Sequence, residues 1–152
     1  MAAEAGTPKA TAMSELDRAR VLGPAVTSVG AAAIGLAAFL PWLETGHVTR
    51  NSFEMIRAAE LLDVITGVAV VALKSWYFVP LLVAVVWLTA ALERSRLTVA
   101  FGVGLVVATI VVSGVVLRSG VPTGVGPELA LFGAGTIVVG VVLILRPPGS
   151  PS

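Results

Sequence analysis

The densest group of charged side chains in the sequence lies between residues 54 and 63. Glu54, Arg57, Glu60 and Asp63 recur at three-residue intervals, so in a helix they would lie close to one side. Paired carboxylates can act as acid and base, but only in a cleft that tunes their protonation, and the neighbouring residues indicate no cleft. A solvated helix face with weak ion pairs is the ordinary interpretation; a docking face or ionic site is the functional alternative.

Residues 51 to 63 predict the helix that would present these charges. Asn51 and Glu54 form an N-x-x-E capping pattern, which places the helix at about residues 52–63. Apolar residues beginning with Phe53 supply its other side, so we predict an amphipathic helix at the membrane surface or against neighbouring elements. The candidate partner-docking residues are Phe53, Glu54, Arg57, Glu60 and Asp63.

Other reactive side chains are scarce. Cysteine is absent, which excludes disulfides, thiolate catalysis and zinc thiolates. His47 is the single histidine, and a solvated loop histidine is its ordinary role, with a pH-sensing or metal role as the alternative. The net charge of +1, without a Lys/Arg cluster, gives no attraction to nucleic acid. We therefore predict no catalytic, cofactor or metal residues, and no nucleic-acid partner.

The composition indicates that these residues belong to a membrane protein. Hydrophobic residues make up 57% of the chain and charged residues 12%, whereas about 25% are charged in a soluble domain. Four apolar stretches, at about residues 21–43, 76–92, 97–117 and 129–145, approach the roughly 20 residues that a helix needs to cross a bilayer. Valine is frequent in the last two, but in lipid a helix satisfies its own backbone and an open strand does not. The predicted fold is an all-α four-helix transmembrane bundle.

The remaining segments follow from these spans. We interpret residues 1–20 as a flexible cytoplasmic tail before an uncleaved first span, because the polar start is too long and too acidic for a signal peptide. Residues 21–146 form the membrane domain, residues 44–75 its external loop, and residues 147–152 a disordered tail. Residues 64–73 either extend the second span or lie at the surface.

Basic residues and aromatic rings predict the orientation. Six basic residues fall on the side that holds both termini and four on the other, which favours cytoplasmic termini in a plasma membrane. Trp42, Trp76 and Tyr77 lie at predicted span ends. We interpret these three as interface anchors at the level of the lipid headgroups.

The spans themselves contain no ionisable residue, which disfavours a pump or a coupled transporter. A pore lined by hydroxyl groups would require an oligomer, and such groups more often bond their own helix. Small-residue pairs predict close helix packing; these are Ala31 with Gly35, Gly104 with Ala108, and Ala130 with Ala134.

Several short motifs resemble a known layout. They are Phe39-Leu-Pro-Trp-Leu, then Arg50 followed by Ser52-Phe-Glu, then Trp76-Tyr-Phe-Val-Pro. This layout is similar to that of small four-span actinobacterial membrane proteins to which no activity is assigned. The resemblance covers most of residues 21–146 and implies a bacterial plasma membrane, and it transfers no functional residue.

Three functions are compatible with these observations. The leading hypothesis is a non-enzymatic accessory, scaffold or interaction subunit of a bacterial membrane assembly, with the lipid bilayer and a membrane protein or a second copy as partners. The alternatives are an oligomeric channel or small-molecule transporter, and a membrane-bound enzyme acting on lipid through residues such as His47 or Glu54.

Overall fold

The computed structural model describes residues 8–61 and 68–146 as helices and one β-hairpin. In chain order the elements are α1 (Pro8–Ala37), β1 (Pro41–Thr45), β2 (Val48–Asn51), α2 (Ser52–Leu61), α3 (Val68–Ser75), a 3-10 turn (Trp76–Phe78), α4 (Val79–Ala91), α5 (Ser95–Arg118) and α6 (Gly126–Leu145).

Three helical stretches in the described part of the chain are long and apolar enough to cross a membrane. They are Leu73–Ala91, Ser95–Arg118 and Gly126–Leu145. The predicted helical class is therefore confirmed, and the fold fits a membrane protein. The apolar part of α1, Val21–Ala37, is shorter than these three.

Glycines bring α1 and α6 into direct backbone contact. A Cβ atom on Gly30 would lie 2.7 Å from the carbonyl oxygen of Gly133, and a Cβ on Gly133 would lie 2.8 Å from that of Gly30. Gly23 and Gly140 meet in the same way one heptad further along. This seven-residue spacing keeps one seam of each helix facing the other, and the missing side chains let the helix axes approach closely.

The small-residue pairs predicted from the sequence are only partly the ones that pack. Ala31, Ala130 and Ala134 are buried, but a Cβ on Gly104 would meet no atom within 4 Å. The seam instead uses glycines seven residues apart, a spacing that the four-residue pattern does not detect.

The first predicted span is displaced in the structure. Helix α1 begins at Pro8, so residues 8–20 are helical where a flexible tail was expected, and Pro24 lies inside the helix. The helix ends at Ala37, whereas the prediction extended the span to residue 43. Pro41 supplies no amide hydrogen to continue a helix and begins β1, so residues 41–43 belong to a strand and not to the apolar helix.

The second predicted span gains residues at its start. Helix α3 runs through Lys74 and Ser75 into the 3-10 turn and on into α4, and the membrane-length stretch begins at Leu73. Residues 64–67 lie outside the described residues. Pro80 falls in the first turn of α4, where its missing N–H costs little.

A β-hairpin occupies the start of the predicted external loop, so the all-α prediction is wrong there. Thr45 pairs with Val48, and Gly46 between them has φ +62°. A glycine with positive φ at this position suits the tight turns of two-residue hairpins. The other edge of β1 is also engaged, because the Glu44 amide donates to the Pro122 carbonyl (3.0 Å) and the Gly124 amide donates to the Trp42 carbonyl (3.3 Å).

The glycine seam generates the first prediction. Gly133→Val would force a side chain against the α1 backbone and should lower the free energy of unfolding by about 3 kcal/mol, the upper end of typical overpacking costs. Gly135→Val is the matched control on the same helix, because a Cβ there would meet no atom within 4 Å. Thermal unfolding of both variants in mild detergent measures the difference, and equal melting temperatures would contradict the seam.

Candidate functional site

Strands β1 and β2 and helix α2 form a small structure, residues 41–61, that we call the cap. It lies at the end of the bundle that holds the 3-10 turn and the α5–α6 loop, because β1 bonds to that loop and Trp42 contacts Trp76. The cap contains most of the residues that the sequence predicts as functional.

A buried hydrogen-bonded cluster fixes the cap to the bundle. The Ser52 hydroxyl donates to the Ala38 carbonyl (2.6 Å) and accepts from the Trp76 indole N–H (2.9 Å). The Trp42 indole N–H donates to the Ala37 carbonyl (2.7 Å). The two indole rings meet edge to face with their centroids 5.1 Å apart, a favoured aromatic geometry. One serine thus joins the end of α1, the start of α2 and the 3-10 turn.

These contacts correct part of the anchor prediction. Trp42 and Trp76 lie at the same end of the bundle, as predicted, but both are fully buried, so their rings contact protein instead of lipid headgroups. The sequence places them at apolar boundaries and does not show that residues 41–61 fold over them. Tyr77 is 45% exposed and keeps the surface position that an anchor requires.

A row of three aromatic rings lies beside this cluster. Phe53 packs 5.5 Å from Phe39 and 5.8 Å from Tyr77, measured between ring centroids, and it stacks on the tyrosine. Phe39 is largely exposed. Phe53, predicted as a docking residue, therefore joins α2 to the segment that follows α1 and to the 3-10 turn.

The start of α2 has the predicted capping geometry. The Glu54 amide donates to the Asn51 side-chain oxygen (2.9 Å), and the Asn51 amide donates to the Glu54 carboxylate (3.1 Å). This reciprocal pair satisfies amides that the helix itself leaves free. The Glu54 carboxylate consequently has a structural role at the junction of β2 and α2.

The remaining predicted docking residues do not form one site. Glu60 lies 3.6 Å from the Lys74 ammonium, an exposed pair of small energetic value. Arg57 is exposed and has no ion-pair partner in the described part of the chain. Asp63 lies outside the described residues. The three described charges therefore separate into a helix cap, a surface pair and a guanidinium with no ion-pair partner among the described residues.

Arg57 belongs to an open groove that the sequence did not predict. The groove lies between β2 and α2 and has a volume of about 330 Å³. Its walls are formed by Val48, Thr49, Arg50, Glu54, Arg57, Ala58 and Leu61. The sequence contains a signal for the hairpin, which is a glycine-containing turn between two short β-prone segments. Only the folded hairpin, however, shows that Arg50 and Arg57 line the same groove.

His47 lies at the exposed tip of the hairpin. No group of three or more metal-ligating side chains occurs within residues 8–61 and 68–146. The structure thus assigns this histidine a turn position in solvent.

Comparisons with known proteins add no relative. No protein-family model, no curated protein and no solved structure matches the chain. Function must be argued from the residues of this chain.

The buried cluster generates the second prediction. Ser52→Ala leaves the Trp76 N–H and the Ala38 carbonyl without their side-chain partner, which should cost about 1–3 kcal/mol. Trp42 and Trp76 should also become more accessible to water. In a Trp87→Phe background only these two of the three tryptophans remain, so their fluorescence emission should shift to the red. Ser95→Ala, an exposed change at the other end of the bundle, is the control, and identical spectra and stabilities for both variants would refute the proposed role of Ser52.

Proposed function

We propose that this chain is a four-span, non-enzymatic interaction subunit of a bacterial membrane assembly, which presents its cap to a partner protein. The single observation that supports this most strongly is the construction of the cap. Its buried side is fixed by the Trp42–Ser52–Trp76 cluster, while charged and apolar side chains of β2 and α2 are left exposed around a groove.

The four-span proposal is supported by the packing of α1. Gly23 and Gly30 contact Gly140 and Gly133 of α6 in antiparallel order. If α6 crosses the bilayer, the part of α1 beside it lies at the same depth and crosses as well. Residues 21–37 rise about 25 Å as a helix, close to the roughly 30 Å of hydrocarbon.

The proposed orientation places both termini in the cytoplasm and the cap outside. Arg94 lies in the α4–α5 turn, Arg96 lies in the first turn of α5, and Arg146 follows α6 at the same end. Together with Lys9, Arg18 and Arg20 these residues form the more basic side.

Three of the hydroxyl groups that a pore would need have structural roles. Within their own helices, Thr27 donates to the Gly23 carbonyl (2.9 Å), Thr109 to the Leu105 carbonyl (2.8 Å), and Thr136 to the Phe132 carbonyl (3.0 Å). These bonds satisfy the three hydroxyls without a polar path, while the buried Ser113 hydroxyl has no hydrogen-bond partner among the described residues. An interaction role therefore accounts for the polar residues better than a channel does.

The topology yields the third prediction, and the absence of native cysteine makes it direct. His47→Cys, at the hairpin tip, should react with a membrane-impermeant maleimide in intact cells. Ser95→Cys, at the other end of the bundle, should react only after permeabilisation. Labelling of both positions from the same side would contradict a crossing by Leu73–Ala91.

The interaction role yields the fourth prediction. A photo-activatable benzophenone residue at Arg57, in the full chain in growing cells, should form a discrete adduct with a second protein. The same residue at Arg96, which is exposed at the opposite end, is the control for random collision. Recovery in mild detergent of a chain with no partner and no adduct specific to position 57 would overturn the proposal.

A further inference from the structure

We infer that the groove between β2 and α2 binds an extended acidic peptide segment of the partner protein, which adds as a strand beside β2. This inference rests on the proposed function and specifies the chemistry of the partner. It is argued from the strand edge, from the charges and from the apolar walls of the groove.

On the edge of β2 that faces away from β1, the Thr49 backbone makes no hydrogen bond with another described backbone group, whereas the Asn51 amide donates to the Glu54 carboxylate. Glu44 is paired with Thr49, yet its amide donates outward to the Pro122 carbonyl, so this pair is one of the non-hydrogen-bonded pairs of an antiparallel ladder. The N–H and C=O of Thr49 consequently also point away from the hairpin. Whereas the α5–α6 loop covers the corresponding edge of β1, Thr49 lines the groove.

The charges of the groove favour a carboxylate-bearing ligand. Arg50 and Arg57 both line it and are exposed, and neither has an ion-pair partner among the described residues. The acidic wall residue, Glu54, already accepts the Asn51 amide. The groove therefore has two guanidinium groups available, and guanidinium forms strong paired hydrogen bonds with carboxylates.

The spacing of the wall residues favours a peptide over a lipid headgroup. Val48 and Arg50 are two residues apart and share one face of β2, so an added strand would place an apolar and an acidic side chain beside them at the same two-residue spacing. Val48 is 52% and Leu61 80% exposed, which provides apolar contacts for such a strand. A single phosphate would use neither the strand edge nor these apolar walls.

The first test measures peptide binding to the full chain in phosphatidylcholine nanodiscs. The probe is a fluorescein-labelled hexapeptide, Ser-Val-Ser-Glu-Ser-Glu, compared with Ser-Val-Ser-Lys-Ser-Lys. We expect the acidic peptide to bind at least tenfold more tightly than the basic one. The double change Arg50→Glu, Arg57→Glu should weaken binding of the acidic peptide at least tenfold. Arg118→Glu, an exposed charge outside the groove, should alter it less than twofold. Equal binding of the two peptides, or an unchanged affinity in the double variant, would overturn the inference.

A second pair of variants tests the strand edge. Thr49→Pro removes the outward N–H, which the hairpin does not use, and should weaken the acidic peptide at least fivefold, while Thr49→Val keeps the N–H and should not. Native fluorescence of Trp42 and Trp76 confirms that the cap is folded in each variant, and Arg50→Gln with Arg57→Gln replaces the double reversal if that variant misfolds. Equal affinity in the folded proline and valine variants would contradict strand addition.

Two further outcomes separate this inference from its alternatives. The acidic peptide is expected to bind through Arg50 and Arg57. If that binding is lost in phosphatidylglycerol nanodiscs, the groove is a site for anionic lipid and the peptide inference is wrong. If a benzophenone residue at Ala58 captures the partner equally well with and without Arg50→Glu, the interaction role stands and the groove inference fails. If the Arg50→Glu variant loses that adduct while the native chain still forms it, both the interaction role and the groove inference are supported.

Discussion

The cap depends on one hydroxyl group that is shared by three segments of the chain. Ser52 is fully buried; its hydroxyl donates to the carbonyl of Ala38, the residue after α1, and accepts from the Trp76 indole N–H. A buried indole N–H without an acceptor would cost about 1–3 kcal/mol. The Ser52 hydroxyl supplies that acceptor and so fixes the hairpin and α2 relative to the bundle.

At the centre of the bundle, the glycine contacts determine how closely α1 and α6 pack. Apolar side chains gain little from leaving lipid for another helix, so packing and close approach must hold the helices together. The α1–α6 seam gives that approach through pairs of glycines that leave no side chain between the backbones. The Gly126 position extends the same principle to the cap, because the Trp42 ring and the Pro41 carbonyl occupy the space that a Cβ atom would need. Small residues thus determine both the spacing between α1 and α6 and the position of the cap against the start of α6.

The sequence predicted those elements whose signals are local or compositional. The apolar runs gave α5 and α6 to within a few residues, and the Asn51–Glu54 pattern gave the start of α2. It did not predict the hairpin, because residues 41–51 contain few alternating residues and their pairing is stabilised by the distant α5–α6 loop. The burial of Trp42 and Trp76 was missed for the same reason, since composition cannot show that an external segment folds back over the end of a span.

The candidate site was predictable only in part, and the reason is geometric. Four charges at three-residue spacing suggested one functional face, but Glu54 caps its own helix and Glu60 meets Lys74 of another helix. Arg57 has no ion-pair partner among the described residues, and it lines a groove together with Arg50, seven positions earlier and on a strand. Both arginines line the groove because β2 ends at Asn51 and α2 begins at the next residue. The groove is therefore a property of the strand–helix junction instead of either element alone.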